Sequence, residues 1–315
     1  MSHYRPIWAV LAGLLVLAAS ACGGGAATPD DAGPAGARSV IHAMGTTEII
    51  GNPERVVVLD TGELDSVLAL GVTPVGAVTA DATGAFQSYL GDRTKSIEVV
   101  GTINEPNLEK IAALQPDLIL SSKTRHEEIY AQLSRIAPTV FAERVGVAWR
   151  ENFRLAGAAL GMPDAADRIL AEYKSKAAAT GARFGDPAKV SVSMVRFSGD
   201  QIRLYGPGSF IGTVLADAGF ARPAAVQHLE KTFLEVSPEQ IRQADGDLLF
   251  YAAYGPQGAD ARTAVVAGPL WQAIPAVAQG RAHGVSDDLW YLGIGPLAAN
   301  LVLDELASYA APQPS

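Results

Sequence analysis

The stretch WRENFRLAGAALGMPDAADRILAEYKSKAAATGARF, residues 149–184, separates two parts of the chain that resemble each other. Its second half contains no further Pro after Pro163 and no Gly before Gly181. Apolar residues recur there at helical spacing, at Ala166, Ile169, Leu170, Tyr173 and Ala177. The spacing predicts a helix over 164–184. A helix of roughly 20 residues spans about 30 Å, the width of a small domain, so it can join two lobes.

Two segments on either side of this helix share one pattern. The first is LEKIAALQPDLIL at 108–120 and the second is PEQIRQADGDLLF at 238–250. Each combines a short helix with Glu in its first turn, a Pro-Asp or Gly-Asp turn, and a continuous apolar run. Such a run after a helix is typical of a strand buried on both faces of a parallel sheet. Two copies predict two similar α/β lobes.

Strands and helices alternate through both flanks, which predicts an α/β fold with two Rossmann-like lobes. Each lobe has a central, mainly parallel sheet, and one long α-helix joins them. The predicted domains are a first lobe at 39–148, a helical linker at 149–184 and a second lobe at 185–315. The predicted strands are 55–60, 73–78, 96–100, 117–121, 138–141, 190–195, 201–205, 247–251 and 281–285. The predicted helices outside the linker are 63–70, 107–114, 126–136, 209–218, 238–244, 270–278 and 296–310.

The composition is that of a protein with a substantial core. Of the 315 residues, 49% are hydrophobic and 18% are charged, which argues against global disorder. The formal net charge is −9, so the chain lacks the basic balance of proteins that bind nucleic acid through a positive face. We expect no nucleic-acid partner.

The N-terminus has the pattern of an export signal. Arg5 precedes an apolar segment at 7–19, and small residues then lead into Cys22, the only cysteine. The apolar segment is short for a membrane span. Residues 19–22 resemble a bacterial lipobox, although Ala19 stands where a branched apolar residue is usual. We therefore expect a signal peptide at 1–21, lipidation at Cys22, a Gly-rich tether at 22–38 and a location on the extracytoplasmic face of the cell membrane. The alternative is a plain secretory signal.

No motif predicts catalysis or metal binding. GIGPLA at 293–298 matches G-x-G-x-x-A, but it lies near the C-terminus, where Gly295 and Pro296 suit the start of the last helix. There is no G-x-S-x-G or H-E-x-x-H motif. The histidines at 42, 126, 228 and 283 have no partner at metal-ligand spacing.

Arginines follow several predicted strands. They are Arg125, Arg144, Arg196 and Arg203. Ligands of open parallel sheets bind beyond the carboxyl ends of the strands, where guanidinium groups suit a carboxylate-bearing ligand. Aromatic residues occur in similar places, at Tyr205, Phe210, Tyr251, Tyr254, Trp290 and Tyr291. For each arginine the alternative is an ordinary solvated charge.

Several segments together resemble one family. They are RVVVLDTGELDSVLALGVTPVGAV at 55–78, NEPNLEKIAALQPDLILSSKTRHEEIYAQLSRIAPTV at 104–140, WRENF at 149–153, VRFSGDQIRLY at 195–205, and residues 289–306. The chain resembles the substrate-binding lipoproteins of bacterial ABC importers for ferric siderophores, the class III periplasmic binding proteins. Arg125-His126-Glu127 with Tyr130, and VRF at 195–197, are similar to the branch that takes ferric citrate and hydroxycarboxylate siderophores. Tyr291 departs from that branch, which often has a polar residue there.

The resemblance implies a receptor without enzymatic activity, whose ligand is an iron(III)–siderophore complex. The siderophore supplies the iron ligands, so no cofactor and no protein metal site are expected. The implied ligand-binding residues are Arg125, Arg196, Arg203, Tyr205, Trp290, Tyr254 and Thr61. A haem or corrinoid receptor of the same fold is the alternative, and an α/β enzyme of the cell envelope is a more distant one.

The resemblance also implies partners. Glu109 and Glu239 occupy equivalent places in the two repeated segments, where glutamates of the family dock onto arginines of the two ABC permease subunits. Their other expected role is to stabilise the first turn of a helix. We expect a monomer that contacts the membrane only through its lipid anchor.

Overall fold

The computed structural model describes residues 36–81 and 83–310, with two five-stranded sheets at its centre. The signal peptide, Cys22 and most of the tether fall outside the described residues. Ala37 and Arg38, which were predicted to end the tether, instead begin a strand. This is the first strand of an antiparallel hairpin, β1 (Ala37–His42) and β2 (Gly45–Ile50). The Arg38 guanidinium donates to the carbonyls of Ala158 and Ala159, which ties the hairpin to the linker.

The first sheet is entirely parallel, as predicted. Its strands are β3 (Val56–Val58), β4 (Gly76–Thr79), β5 (Glu98–Thr102), β6 (Leu118–Ser122) and β7 (Thr139–Ala142). Their order is β5-β4-β3-β6-β7, with every neighbouring pair parallel. All three residues of β3 are buried, because helices cover both faces. We call the part built around this sheet the first lobe.

The second sheet is mixed. Its strands are β8 (Val192–Ser198), β9 (Gln201–Tyr205), β10 (Phe233–Val236), β11 (Leu248–Tyr254) and β12 (Ala282–Gly284), in the order β10-β9-β8-β11-β12. β8, β11 and β12 are parallel, whereas β9 and β10 add an antiparallel edge. Only Gly199 and Asp200 separate β8 from β9, and such a short turn forces antiparallel pairing. We call this part the second lobe.

The linker consists of two helices, α5 (Trp149–Leu160) and α6 (Pro163–Ala182). Gly161 ends α5 in the left-handed region at φ 74°, which is easily reached only by glycine. The predicted apolar stripe of α6 is confirmed, since Ala166, Leu170, Tyr173 and Ala177 are buried. α5 reaches across to the second lobe, where the Trp149 indole donates to Thr213 at 3.0 Å.

The other helices cover the sheets. They are α1 (Thr61–Ala69), α2 (Leu108–Ala113), α3 (Lys123–His126), α4 (Tyr130–Leu133), α7 (Phe210–Asp217), α8 (Gly255–Val266), α9 (Pro269–Gln272), α10 (Pro275–Ala278) and α11 (Pro296–Ser308). Residues Ser88–Thr94, Glu127–Ile129, Pro187–Lys189 and Pro238–Ala244 form 3₁₀ turns, and Asp288–Leu292 forms a π turn. β10 and α8 were not predicted.

Two predicted helices are wrong as continuous elements. The segment predicted at 126–136 starts earlier, at Lys123, and breaks into α3, a 3₁₀ turn and α4. His126 lies at the break, because its ring bonds Ser121 Oγ at 2.6 Å and the Ile103 carbonyl at 2.7 Å. The segment predicted at 270–278 divides into α9 and α10 at Pro275, which lacks the amide hydrogen that a continuous helix requires.

The G-x-G-x-x-A segment begins a helix, as the capping interpretation predicted. Pro296 is the first residue of α11 and Gly295 precedes it. The carboxylate of Asp65, on α1, accepts hydrogen bonds from the amides of Leu297 and Ala298 at 2.8 and 2.9 Å. Because these amides are already bonded, the N-terminus of α11 has no free donors there for a phosphate.

Candidate functional site

A cavity of about 200 Å³ lies between the two lobes. It is lined by Arg125 and residues 145–147 of the first lobe, and by Tyr205, residues 208–211, Thr232, Trp290, Tyr291 and Ile294 of the second. One wall is therefore cationic, whereas the opposite wall is largely aromatic. Within the described residues, no group of three or more His, Cys, Asp or Glu side chains is placed to hold a metal ion.

Arg125 reaches the cavity from α3, just beyond the carboxyl end of β6. Its Nε donates to Asp60 Oδ2 at 2.7 Å. Asp60 is fully buried, follows β3 and also accepts from the Thr61 amide at 2.6 Å, so it caps α1. The Arg125 side chain remains 34% exposed and lines the cavity.

The aromatic wall is held from behind. Tyr205 and Tyr291 meet edge to face with ring centroids 4.9 Å apart, and the Tyr291 hydroxyl donates to the Val195 carbonyl at 2.9 Å. Trp290 is fully buried and stacks on Phe250, and its indole nitrogen donates to Glu305. Trp290 therefore presents ring atoms to the cavity rather than a free polar group.

Arg196 does not line the cavity but lies behind its wall. It is 8% exposed, and its Nε and Nη2 form two parallel hydrogen bonds with the carboxylate of Asp287, both at 2.6 Å. Its Nη1 donates to the Tyr205 hydroxyl at 3.3 Å. Burial acts to lower the pKa of Arg196, but the bonds to Asp287 outweigh it and raise the pKa above its usual value. In this arrangement Arg196 positions Tyr205.

The remaining predicted ligand residues also lie away from the cavity. Arg203 packs over the Phe233 ring at 4.5 Å and bonds to Gln201. Tyr254 covers the Arg196 guanidinium at 4.8 Å. Thr61 is buried in the first turn of α1. Of the seven predicted residues, the structure thus brings Arg125, Tyr205 and Trp290 together around one cavity.

Sequence reasoning missed the charged groups that support these side chains. Asp60 and Asp287 are the counter-ions of Arg125 and Arg196, and Glu63 is buried beside Asp60. Burial, together with the nearby charge of Asp60, raises the pKa of Glu63 to about 8. The position of Asp60 between a buried strand and a helix could have indicated its role as a counter-ion. No feature of the local sequence indicated the same role for Asp287.

The predicted docking residues are both exposed in the first turn of a short helix. Glu109 is on α2, and Glu239 is on the 3₁₀ turn Pro238–Ala244. Hydrogen bonds with Ser237 and with its own backbone lower the pKa of Glu239, so this carboxylate stays ionised. The local likeness of the two repeated segments is confirmed, although the second helix is of the 3₁₀ type.

Comparisons with known proteins agree with this geometry. The "Probable siderophore-binding lipoprotein YfiY" of Bacillus subtilis strain 168 is 36% identical over 319 residues, covering 98% of each chain. The Fe(3+)-citrate-binding protein YfmC of the same strain is 32% identical over 255 residues, covering 80% of this chain and 79% of YfmC. The structure of Staphylococcus aureus SirA complexed with staphyloferrin B has a TM-score of 0.79 and 33% identity, covering 86% of this chain and 97% of SirA.

The family comparison covers most of the same region. The model of the periplasmic binding protein family matches residues 56–287, which include both sheets and the linker. This match confirms the resemblance found in the sequence and the two-lobed α/β fold class. The chain belongs to the periplasmic binding protein family.

Proposed function

We propose that this protein binds a ferric siderophore of the citrate or hydroxycarboxylate type and delivers it to an ABC permease for iron uptake. The observation that carries the proposal is the cavity between the lobes, where Arg125 faces Tyr205, Trp290 and Tyr291. A guanidinium suits the carboxylates of such a ligand, and the aromatic wall suits its apolar flank. The names of YfiY and YfmC, and the staphyloferrin B complex of SirA, support this ligand class.

The volume of the cavity indicates how much of the ligand it can enclose. Pockets that enclose drug-sized ligands measure about 300–1,000 Å³. At about 200 Å³ this cavity is smaller, so we expect part of the siderophore to project beyond it or the lobes to separate slightly.

The protein acts as a receptor and does not turn over its ligand in this proposal, in keeping with a family of binding proteins. Iron remains coordinated by siderophore oxygens. Cys22 carries a lipid that holds the monomer on the extracytoplasmic face of the membrane, and YfiY is likewise named a lipoprotein. Mass spectrometry of the membrane-bound protein tests for the acyl group. Within residues 36–81 and 83–310, every helix is too short or too polar to span a bilayer.

A titration of intrinsic Trp fluorescence tests the proposed ligand. The panel comprises ferric citrate, ferric hydroxycarboxylates, a hydroxamate, a catecholate, haem and cobalamin. We expect saturable quenching by a carboxylate siderophore, because Trp290 lies at the cavity. Tight binding of haem or cobalamin alone would contradict the proposed class.

The double variant Asp60→Asn/Arg125→Gln tests the site. It removes the guanidinium without leaving the buried Asp60 charge unpaired. Hydrogen bonds to charged groups contribute about 1.5–3 kcal/mol, so the affinity should fall roughly 10- to 150-fold. Arg135→Gln removes an exposed arginine from the same lobe and should leave the affinity unchanged. Equal affinities of the double variant and the wild type would exclude Arg125 from the site.

A further inference from the structure

The arginines at and behind the cavity wall differ in whether a carboxylate balances their charge. Arg125 is paired with Asp60 at 2.7 Å, and Arg196 is paired with Asp287 at 2.6 Å. These four groups contribute no net charge. Glu63 adds none near neutral pH, because its raised pKa of about 8 keeps it mostly protonated. The two ion pairs and Glu63 therefore give the site no net positive charge.

Arg222 differs from these arginines because it has no counter-ion among the described residues. Its Nη2 donates to the Tyr205 carbonyl at 2.5 Å. Its Nε and Nη1 are out of contact with solvent and have no hydrogen-bond partner there. Burial lowers the pKa of Arg222 to about 10, which still leaves the guanidinium charged at neutral pH. Two nitrogens of this charged guanidinium are thus buried without a hydrogen-bond partner among the described residues.

The position of Arg222 relates this charge to the cavity. Its guanidinium is bonded to the backbone of Tyr205 and lies near enough to Tyr291 for its charge to act against the rise that burial causes in the pKa of that hydroxyl. Both tyrosines form the cavity wall, and they contact each other at 4.9 Å. An aromatic wall contains little water, so the field of a cation behind it is screened less than that of a cation at the surface.

A buried cation without a partner destabilises a fold, and most buried polar groups in proteins are hydrogen-bonded. The hydrogen bond from Nη2 to the Tyr205 carbonyl requires a donor at that position, but a neutral donor would be sufficient. The charge itself is therefore better explained by what enters the cavity than by the fold.

We propose that Arg222 adds positive potential to the cavity and thereby favours ligands with net negative charge, without touching them. The inference rests on the proposed function, since it concerns the ligand of the same cavity. Arg125 then makes the direct contact, and Arg222 acts through the Tyr205–Tyr291 wall as a specificity-determining residue.

Arg222→Met and Arg222→Gln test this role, with ferric citrate as the probe. Both variants remove the charge, and the glutamine retains a donor for the Tyr205 carbonyl. The affinity should fall roughly tenfold in both, which is the effect of one unit charge at about 12 Å in a medium of effective dielectric constant about 20. The melting temperature without ligand should stay equal to that of the wild type or rise, because an unpaired buried charge has been removed.

Arg242→Met is the matched control. It removes the same formal charge from an exposed position in the same lobe, and solvent should screen its effect on affinity. If both arginine-to-methionine variants lose affinity equally, the effect comes from overall charge and the inference is overturned. If the wild type binds ferric citrate and both Arg222 variants bind it as tightly as the wild type does, Arg222 has only a structural role. If the wild type binds no ferric complex of the panel, the proposed function fails, and this inference fails with it.

Discussion

At the residue scale, Glu63 links the stability of the first lobe to pH. It is buried in the first turn of α1 beside Asp60, and its Oε2 has no hydrogen-bond partner among the described residues. Burial and then the Asp60 charge raise its pKa from an ordinary 4.5 to about 8. Between these two values the folded protein binds more protons at this group than the unfolded chain does. The contribution of Glu63 therefore lowers the free energy of unfolding as pH rises through this window.

Replacing this carboxyl tests the linkage. Glu63→Gln should raise the melting temperature relative to the wild type, and the gain should be larger at pH 8 than at pH 5. The reason is that glutamine cannot ionise, so the variant avoids the cost that grows between those pH values. Thermal unfolding at both pH values provides the measurement. Glu128→Gln, at an exposed position of the same lobe, should show no such pH dependence. A gain that is equal at both pH values would contradict the linkage.

At the residue scale the sequence also predicted part of the candidate site. Arg125, Tyr205 and Trp290 lie where strand ends and loops converge, and all three line the cavity. Arg196 was predicted from the same kind of signal, but Asp287, 91 residues further along the chain, occupies two of its nitrogens. A pattern of residue types does not reveal which arginine finds a counter-ion, because the two partners are far apart in sequence.

At the element scale, Gly181 allows the linker helix α6 to pack closely against α7, because glycine has no side chain. A Cβ atom at this position would lie 1.8 Å from the Ala218 carbonyl oxygen, at the C-terminal end of α7. The close approach of the two helices therefore depends on glycine, although glycine is a weak helix former.

In the variant Gly181→Ala, the higher helix propensity of alanine opposes the overpacking that its Cβ atom causes. Propensity alone would favour alanine by up to about 1 kcal/mol. We expect packing to dominate and the free energy of unfolding to fall by about 1–3 kcal/mol, since overpacking forces the backbones apart. Chemical denaturation measures the change. Ala179→Gly, at an exposed position two residues earlier, isolates the propensity term and should cost about 1 kcal/mol. A stabilised Gly181→Ala variant would show that α6 can move away from α7.

At the scale of the whole molecule, each lobe presents one glutamate of the repeated segments. Glu109 and Glu239 are both exposed, and neither lines the cavity between the lobes. We therefore expect both residues to act towards a partner rather than towards the ligand. Electrostatic docking of this kind mainly affects the association rate and weakens as salt screens the charges.

The double variant Glu109→Ala/Glu239→Ala should bind the ferric ligand with unchanged affinity but support slower iron uptake in cells. Each single variant should have a smaller effect, because one lobe can still dock. Uptake of radiolabelled iron and fluorescence titration measure the two properties separately. Glu54→Ala/Glu172→Ala removes the same charge from other exposed sites and should leave uptake intact. Wild-type uptake by the folded Glu109/Glu239 variant would return both residues to the role of stabilising a helix turn.

The α/β class, the two repeated units and the helical linker between them could be predicted from the amino-acid sequence. These features follow from local periodicity: continuous apolar runs become strands covered on both faces, as in β3, and the 3.6-residue stripe of α6 becomes its buried face. Each pattern records the environment of its own segment, so it can be read without knowing the rest of the fold.

Which of the charged residues act together depends on contacts in the folded chain and could not be predicted. Asp60 lies 65 residues from Arg125, and the order of the strands brings them to the same end of the first sheet. The helix predicted at 126–136 breaks because His126 bonds to Ser121 and to Ile103, which lies on a different segment. Arg222 has no counter-ion in the described structure, because no carboxylate from another segment lies against its guanidinium. Its neighbouring sequence does not indicate that the charge is unpaired. Ion pairing and burial depend on contacts between distant segments, and the folded chain alone specifies those contacts.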